Sequence, residues 1–205
     1  HGVATSGGER GEKEMGFDKL NDYCDPAREA ARLANLKALE GFRFVEMDVC
    51  DADGVRDLEQ SSGVQQIILL AGQAGVRDSI DNPFAYQKSN LQGHLSLLDA
   101  SRHADNFQHL VYASSRSVYG DKPMGGEEFT EEEPATDPVS LYAATKRSDE
   151  LMSQSYAKLY GFPMTGLRFF TVYGPWGRPD MAYFGFTQKI LAGEAIEVYG
   201  EGKMA

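Results

Sequence analysis

Cysteine is nearly absent: Cys24 and Cys50 are the only two in 205 residues. Two are too few for a disulfide framework, and their spacing fits neither a zinc site nor a redox pair. The sequence therefore implies no metal and a reducing compartment, the cytoplasm. Long apolar runs are missing as well, so no membrane span of about 20 residues is read here, nor any signal-peptide pattern. Positive charge is scarce. Lysine and arginine number 20 against 31 acidic residues, giving a formal charge of −11 and a pI near 4.8. That balance speaks against nucleic acid or an anionic membrane as the main partner, while leaving room for a local basic pocket. No internal repeat is present, which excludes a solenoid.

What is present is ordinary for a soluble globular chain: 41% hydrophobic and 25% charged residues, enough for one domain or for one domain and part of another. The first residue is His1 rather than Met, and Ala205 closely follows the strand-like stretch Ala195–Tyr199. Both features lead to the expectation of a fragment. Short apolar or β-branched runs alternate with helical patterns. Strands are read at Phe42–Met47, Val64–Leu70 (a buried parallel strand), Leu110–Ala113 and Pro163–Phe170. Helices are read at about 26–40, 51–60, 83–103 and 139–160, the first with Asp25 as N-cap and Pro26 at its first position. Alternation of this kind predicts an α/β fold with a parallel, doubly wound Rossmann-type sheet. Ligands of such sheets sit beyond the carboxyl ends of the strands, where Asp18, Asp48, Ala71–Gly72, Ser114–Ser115 and Phe170–Thr171 fall. The acidic, Gly- and Pro-rich stretch from Gly120 to Val139 reads as a surface loop, with Glu131–Glu133 a solvated face.

The most informative stretch is Tyr142-Ala-Ala-Thr-Lys146, preceded by the serine-rich run Ala113–Gly120. It puts a phenol and an ammonium four residues apart on one helix face. A free tyrosine ionises near pH 10 and is a poor base at neutrality. A nearby ammonium and hydrogen-bond donors favour the phenolate, so Lys146 and a serine hydroxyl would suit Tyr142 to proton transfer with an alcohol. If a hydride leaves the carbon beneath, a nicotinamide cofactor has to accept it. Taken alone, the spacing is explained as well by an amphipathic helix with Tyr142 half-buried and Lys146 solvated.

The stretches Leu70–Arg77, Tyr86–Gly93, Ala113–Gly120, Pro138–Lys146 and Leu167–Met181, in that order, resemble the NAD-dependent nucleotide-sugar epimerases of the extended short-chain dehydrogenase/reductase family. The likeness is greatest to the UDP-glucuronate 4-epimerases and runs from about Gly16 to the last residue. It implies that NAD takes a hydride from C4 of a UDP-sugar while Tyr142 takes the hydroxyl proton, and that a 4-keto intermediate turns before the hydride returns. UDP-glucuronate and UDP-galacturonate are the implied pair. On the same resemblance Ser115, Tyr142 and Lys146 are the catalytic residues. Asp18, Asp48, Val49, Leu70, Ala71, Gly72, Gln73, Asn90, Tyr142, Lys146 and Phe170 are the cofactor contacts. A carboxylate at Asp18 favours NAD over NADP, because it repels a 2′-phosphate. Arg77, Ser114, Ser115, Ser117, Thr171 and Arg178 are implied at the substrate, whose diphosphate and carboxylate call for arginine. Residues 1–170 then form an incomplete NAD-binding domain and 171–205 the start of a substrate domain, and the helices at 83–103 and 139–160 suit a homodimer.

The sequence departs from the family's pattern at its front. Thr5-Ser6-Gly7-Gly8 looks like the glycine-rich phosphate turn, yet only nine positions separate Gly7 from Gly16. That interval reads as too short for a helix and a following strand, and Gly11–Gly16 as too charged. Residues 1–15 are thus expected to be a truncated start, with weak NAD binding and negligible turnover by these 205 residues alone. Lys19 and Arg116 also replace residues usual at their positions. Two rival readings remain: a nucleotide-sugar 4,6-dehydratase, and a non-catalytic nucleotide-binding protein or inactive fragment. Dehydration needs an acidic pair after Ser115, where Arg116 and Ser117 stand.

Overall fold

A computed structural model describes residues 2–11, 13–20, 25–121, 128–177, 179 and 181–198. Its elements run α1 (Gly2–Glu9), β1 (Glu14–Asp18), α2 (Pro26–Lys37), β2 (Phe42–Glu46), α3 (Ala52–Ser62), β3 (Gln66–Leu69), α4 (Asp78–Asp81), α5 (Pro83–Tyr86), a π-helical turn (Gln87–Gln92), α6 (Gly93–Ser101), β4 (His109–Ser115), a 3₁₀ turn (Arg116–Tyr119), α7 (Leu141–Tyr160), β5 (Met164–Phe169) and α8 (Ala182–Ala192). All strand pairs are parallel. β1 pairs with β2, and β3, β4 and β5 form a second sheet in that order. This is the α/β, Rossmann-type arrangement that the alternation predicts. In the doubly wound order 3-2-1-4-5-6, β2 and β1 take positions 3 and 2, and β3, β4 and β5 take positions 4, 5 and 6. Position 1 holds no strand among the described residues.

That gap explains one correction. β3 is parallel as expected but is not buried throughout: Ile68 is 50% exposed, and Leu70, just past the strand, 51%. Among the described residues β3 has β4 on one side only, and as a sheet edge it leaves apolar side chains uncovered. A second correction concerns the front of the chain. Thr5–Gly8 lie inside α1 and form no phosphate-binding turn, as expected, and only Gly7–Glu9 of that helix fall between Gly7 and Gly16; but β1 does begin at Glu14, inside the stretch read as too charged for a strand. Eight residues of helix span about 12 Å, and Gly11 at φ 74° turns the chain back toward the strand. The glycines of α1 are poor helix formers, but Gly8 permits close packing, since a Cβ there would stand 3.3 Å from Leu39 Cδ1. β1 tolerates Glu14 because it is only partly buried and, among the described residues, is paired on one side only.

The helices follow local chemistry closely. Asp25 accepts from Ala27 N at 2.9 Å and caps α2 ahead of Pro26, as expected. Asp51 accepts from Gly54 N at 3.1 Å at the start of α3, which Gly63 ends at φ 64°. The helix read at 83–103 is not continuous: it widens into a π turn at Gln87–Gln92, a kind of irregularity that alters which side chains face inward. Glu194–Val198 form no strand; no neighbouring strand among the described residues offers them backbone partners. Tyr199, which completes that expected strand, lies outside the described residues, as do Cys24, Arg178 and the final residues to Ala205. Cys50 is a free, buried thiol.

The core joins Val49 and Cys50 after β2, Val55 of α3, Leu69 of β3, Leu97, Leu98 and Ala100 of α6, and Leu110 and Tyr112 of β4. It holds β3 and β4 against α3 and α6 with their carboxyl ends on one rim. Among the described residues no helix is long and apolar enough to cross a membrane, and no cluster of His, Cys, Asp or Glu suits a metal ion.

Candidate active site

Five strand ends converge on one rim. A cavity of about 160 Å³ lies there, lined by Asp18 and Lys19 after β1, Asp48 and Val49 after β2, Leu70–Gln73 after β3, and Ser89. Asp18 is exposed, and its carboxylate accepts from Leu20 N at 3.0 Å. Asp48 accepts from Cys50 N at 2.9 Å and from Lys19 Nζ at 3.3 Å, with Lys88 Nζ at 3.8 Å. Burial pushes its carboxyl up, but the bonds from Cys50 and the charge of Lys19 win, so it titrates below its ordinary value. Beside it, Val49 is buried against Gly93, where a Cβ would come within 2.6 Å of Val49 Cγ1.

Gly72 turns the chain after β3 at φ 151°, a conformation that favours glycine. A Cβ here would stand 2.9 Å from Asn90 Oδ1 and 3.6 Å from Lys146 Nζ. Asn90 sits on the π turn, almost fully buried. Its Oδ1 accepts from Gln73 N at 2.8 Å; its Nδ2 donates to Gln73 O at 3.2 Å and to Thr145 Oγ1 at 2.9 Å. Thr145 in turn donates to the carbonyl of Tyr142 at 2.8 Å. A continuous chain of hydrogen bonds therefore ties the glycine turn to the first turn of α7. Ser140 caps that turn by accepting from Ala143 N at 3.1 Å. Tyr142 is half-buried, its ring edge-on to Tyr86 at 6.1 Å. Tyr86 is itself fixed by hydrogen bonds to the carbonyls of Ala74 and Gly75.

Lys146 is not solvated but 8% exposed. Among the described residues its ammonium has one hydrogen-bond acceptor, Asp149 Oδ2 at 3.4 Å. Ser115 ends β4 and accepts from Ser117 N at 3.2 Å, its hydroxyl also donating to Ser117 Oγ at 3.2 Å. Ser114 points elsewhere: it donates to Glu150 Oε1 at 2.6 Å. Glu150 also binds Arg147, and Arg168 through both oxygens. Burial pushes the Glu150 carboxyl up, but the bonds from Arg168, Ser114 and Arg147 outweigh it and hold it below the ordinary value.

Phe170 follows β5 and is exposed, its ring 6.1 Å from Phe129. Thr171 is exposed in the same segment, and Arg77 is exposed at the start of α4. The structure thus gathers Asp18, Asp48, Val49 and Leu70–Gln73 around one cavity, links them through Asn90 to Tyr142 and Lys146, and turns Ser114 away. Sequence reading misses Asp149, Glu150, Thr145 and His94. The first two stand three and four residues after Lys146, so helical spacing alone was a signal for both.

A model of the NAD dependent epimerase/dehydratase family matches residues 9–205. The chain belongs to that family. It is 49% identical over 197 residues to an uncharacterized 37.6 kDa protein of Escherichia coli O111:H-, covering 96% of this chain and 58% of that protein. It is 46% identical over 191 residues to UDP-glucuronate 4-epimerase 6 of Arabidopsis thaliana, covering 93% of this chain and 41% of the relative. The solved UDP-glucuronic acid 4-epimerase of Bacillus cereus, in complex with UDP-glucuronic acid and NAD, aligns at a TM-score of 0.88 and 27% identity, over 98% of this chain and 62% of that one. The chain therefore spans less than two thirds of the length of each of these proteins.

Proposed function

We propose that this protein is an NAD-dependent nucleotide-sugar 4-epimerase, interconverting UDP-glucuronate and UDP-galacturonate. One observation carries the reading: the Gln73–Asn90–Thr145 chain of hydrogen bonds runs from the glycine turn of the strand-end cavity to the backbone carbonyl of Tyr142, and so fixes the first turn of α7, which bears the phenol and the ammonium, against that cavity. The residues present fit NAD. A side chain at position 72 would fill the cradle between Asn90 and Lys146, and the cavity offers carboxylates for hydroxyl and amino donors. Asp18 would take the adenosine ribose, Asp48 and Val49 the adenine, Leu70–Gln73 and Asn90 the middle of the molecule, and Lys146, Tyr142 and Phe170 the nicotinamide end. When bound, NAD supplies the hydride acceptor that the protein lacks.

The protein's own part is proton transfer. Tyr142 removes the proton from the 4-hydroxyl, and later returns it, while Ser115 donates to the same oxygen. Lys146, buried and one helical turn from Tyr142, supplies the positive charge that favours the phenolate. Tyr86 fixes the ring, so that the phenol is presented in one orientation. Ser117, Thr171 and Arg77 meet the sugar and its phosphates in this reading, and Arg178, outside the described residues, is assigned with them. Ser114 serves by its bond to Glu150, which anchors α7 to β4. Residues 1–170 constitute the cofactor domain and 171–205 begin the substrate domain. A homodimer covers Leu95 of α6 with Leu151 and Leu159 of α7, all exposed here. Dehydration is disfavoured, because Arg116 and Ser117 follow Ser115 where acidic groups are needed.

Tyr142→Phe tests the proposal, since phenylalanine keeps the ring against Tyr86 and removes only the hydroxyl. Conversion of UDP-glucuronate should fall by about 10²–10⁴-fold, with NAD binding, read by thermal shift, retained. Equal turnover by parent and variant, at a rate well above background, sinks the assignment.

A further inference from the structure

Asp149 has no part in the reaction proposed above, yet it is the group most closely bound to Lys146. It is 1% exposed. Oδ2 lies 3.4 Å from Lys146 Nζ, and Oδ1 is buried with no hydrogen-bond partner among the described residues. An ionised carboxylate in such a place ordinarily needs several donors; Asp149 has one.

The groups around it offer little more. From α6 comes His94, whose Nε2 lies 2.7 Å from Ser153 Oγ. Burial, helped by the Lys146 charge, drives His94 down to about 3 against its bond to the Asp149 backbone, so the ring is neutral. From β4 comes Tyr112, whose phenol burial keeps protonated, edge-on to His94 at 5.0 Å. On α7 itself stand Ser153 and Glu150, and Glu150 is neutralised by Arg168 of β5 and by Arg147. Lys146 is thus the cation that faces Asp149, and Asp149 the acceptor that faces Lys146.

Resting on the epimerase reading, we infer that Asp149 is a positioning residue: it holds the Lys146 ammonium under the glycine turn and, by gaining or losing its own proton, sets how much of that positive charge Tyr142 experiences. Burial pushes the Asp149 carboxyl up to about 7 against the pull of Lys146, with Glu150 adding to the rise. Below that pH Asp149 is neutral, and the full charge of Lys146 supports the phenolate. Above it, the ionised carboxylate offsets the ammonium, and the support weakens. An ordinary aspartate, titrating near 3.9, would stay ionised throughout the physiological range and exert no such control.

Nuclear magnetic resonance of the full 205-residue chain, isotope-labelled at aspartate, lysine and tyrosine side chains and without nucleotide or sugar, tests this. The carboxyl resonance that disappears in Asp149→Asn should titrate with a midpoint near 7, about three pH units above an ordinary aspartate. In the parent, the Lys146 and Tyr142 resonances should move with that same midpoint, and in Asp149→Asn they should not. Asparagine keeps an oxygen for the ammonium, so the variant removes the titration while preserving the contact. A midpoint near 4, or Lys146 and Tyr142 resonances indifferent to the Asp149 titration, overturns the inference. Should Asp149→Asn not fold, the parent alone decides it through the Lys146 resonance, assigned by Lys146→Arg. No turnover enters this measurement, so its result is separate from the Tyr142→Phe assay that decides the epimerase reading.

Discussion

Replacing Glu59 by glutamine should make the protein more stable at pH 8 than at pH 5 relative to its parent. Glu59 lies on α3 where that helix meets α6; it is 5% exposed, and neither carboxylate oxygen has a hydrogen-bond partner among the described residues. Burial pushes it up to about 8, with only Ser101 pulling the other way. The folded chain therefore keeps the proton that the unfolded chain releases near 4.5. Between those two values the unfolded state binds fewer protons, so stability falls as pH rises, by about 1.4 kcal/mol per pH unit at the steepest. Integrated from pH 5 to pH 8, the loss attributable to Glu59 is at most about 3.5 kcal/mol. Glutamine has the same shape and no charge, so Glu59→Gln removes this slope and leaves those of all other groups. Urea unfolding of both proteins at unit pH intervals, followed by circular dichroism, gives the difference directly. The gap should widen in favour of the variant up to about pH 8 and then level off. Parallel curves from pH 5 to pH 8 would show that Glu59 is solvated or paired, and would refute the argument.

Two further outcomes follow from the site's geometry. Gly72→Ala places a methyl group 2.9 Å from Asn90 Oδ1 at a backbone φ of 151°; it should cost about 1–3 kcal/mol and weaken NAD binding, measured by calorimetry and thermal shift. Glu150→Gln leaves Arg168 and Arg147 without their carboxylate and should cost about 2–4 kcal/mol at pH 7. Because the Glu150 carboxyl is held below its ordinary 4.5, its contribution is present above that pH and is lost as pH falls through the folded value. The parent and Glu150→Gln should therefore converge in unfolding experiments as the pH falls below 4.5 and the folded carboxyl takes up its proton.

Local chemistry makes much of this protein legible in its sequence. Asp25 followed by Pro26 marks the start of α2 because capping involves only neighbouring residues. The positions of Asp18, Asp48, Gly72, Ser115 and Phe170 at strand ends follow from where each apolar run stops. The pairing of Tyr142 with Lys146 on one face follows from the helical repeat. Other features depend on distant partners and could not be read this way. The π turn that aims Asn90 at both Gln73 and Thr145 leaves no simple mark in the spacing of apolar residues. Ser114 and Ser115 are chemically alike and adjacent, yet one bonds Glu150 and the other stays at the strand-end rim. Alternation along β4 sends them to opposite faces, and which face meets α7 is a matter of packing.

By itself, then, the sequence determined the alternation of strands and helices from Pro26 to Phe169, the family to which they belong, and the residue types arrayed along the rim. Only the tertiary structure decided that β1 and β3 each have a single strand neighbour among the described residues, and that Ile68 and Leu70 stay exposed. It alone also decided that Lys146 is buried beside Asp149 rather than solvated. Periodicity and capping act over a few residues along the chain, whereas burial and the charge state of a carboxylate are set by whatever the fold brings within a few ångströms.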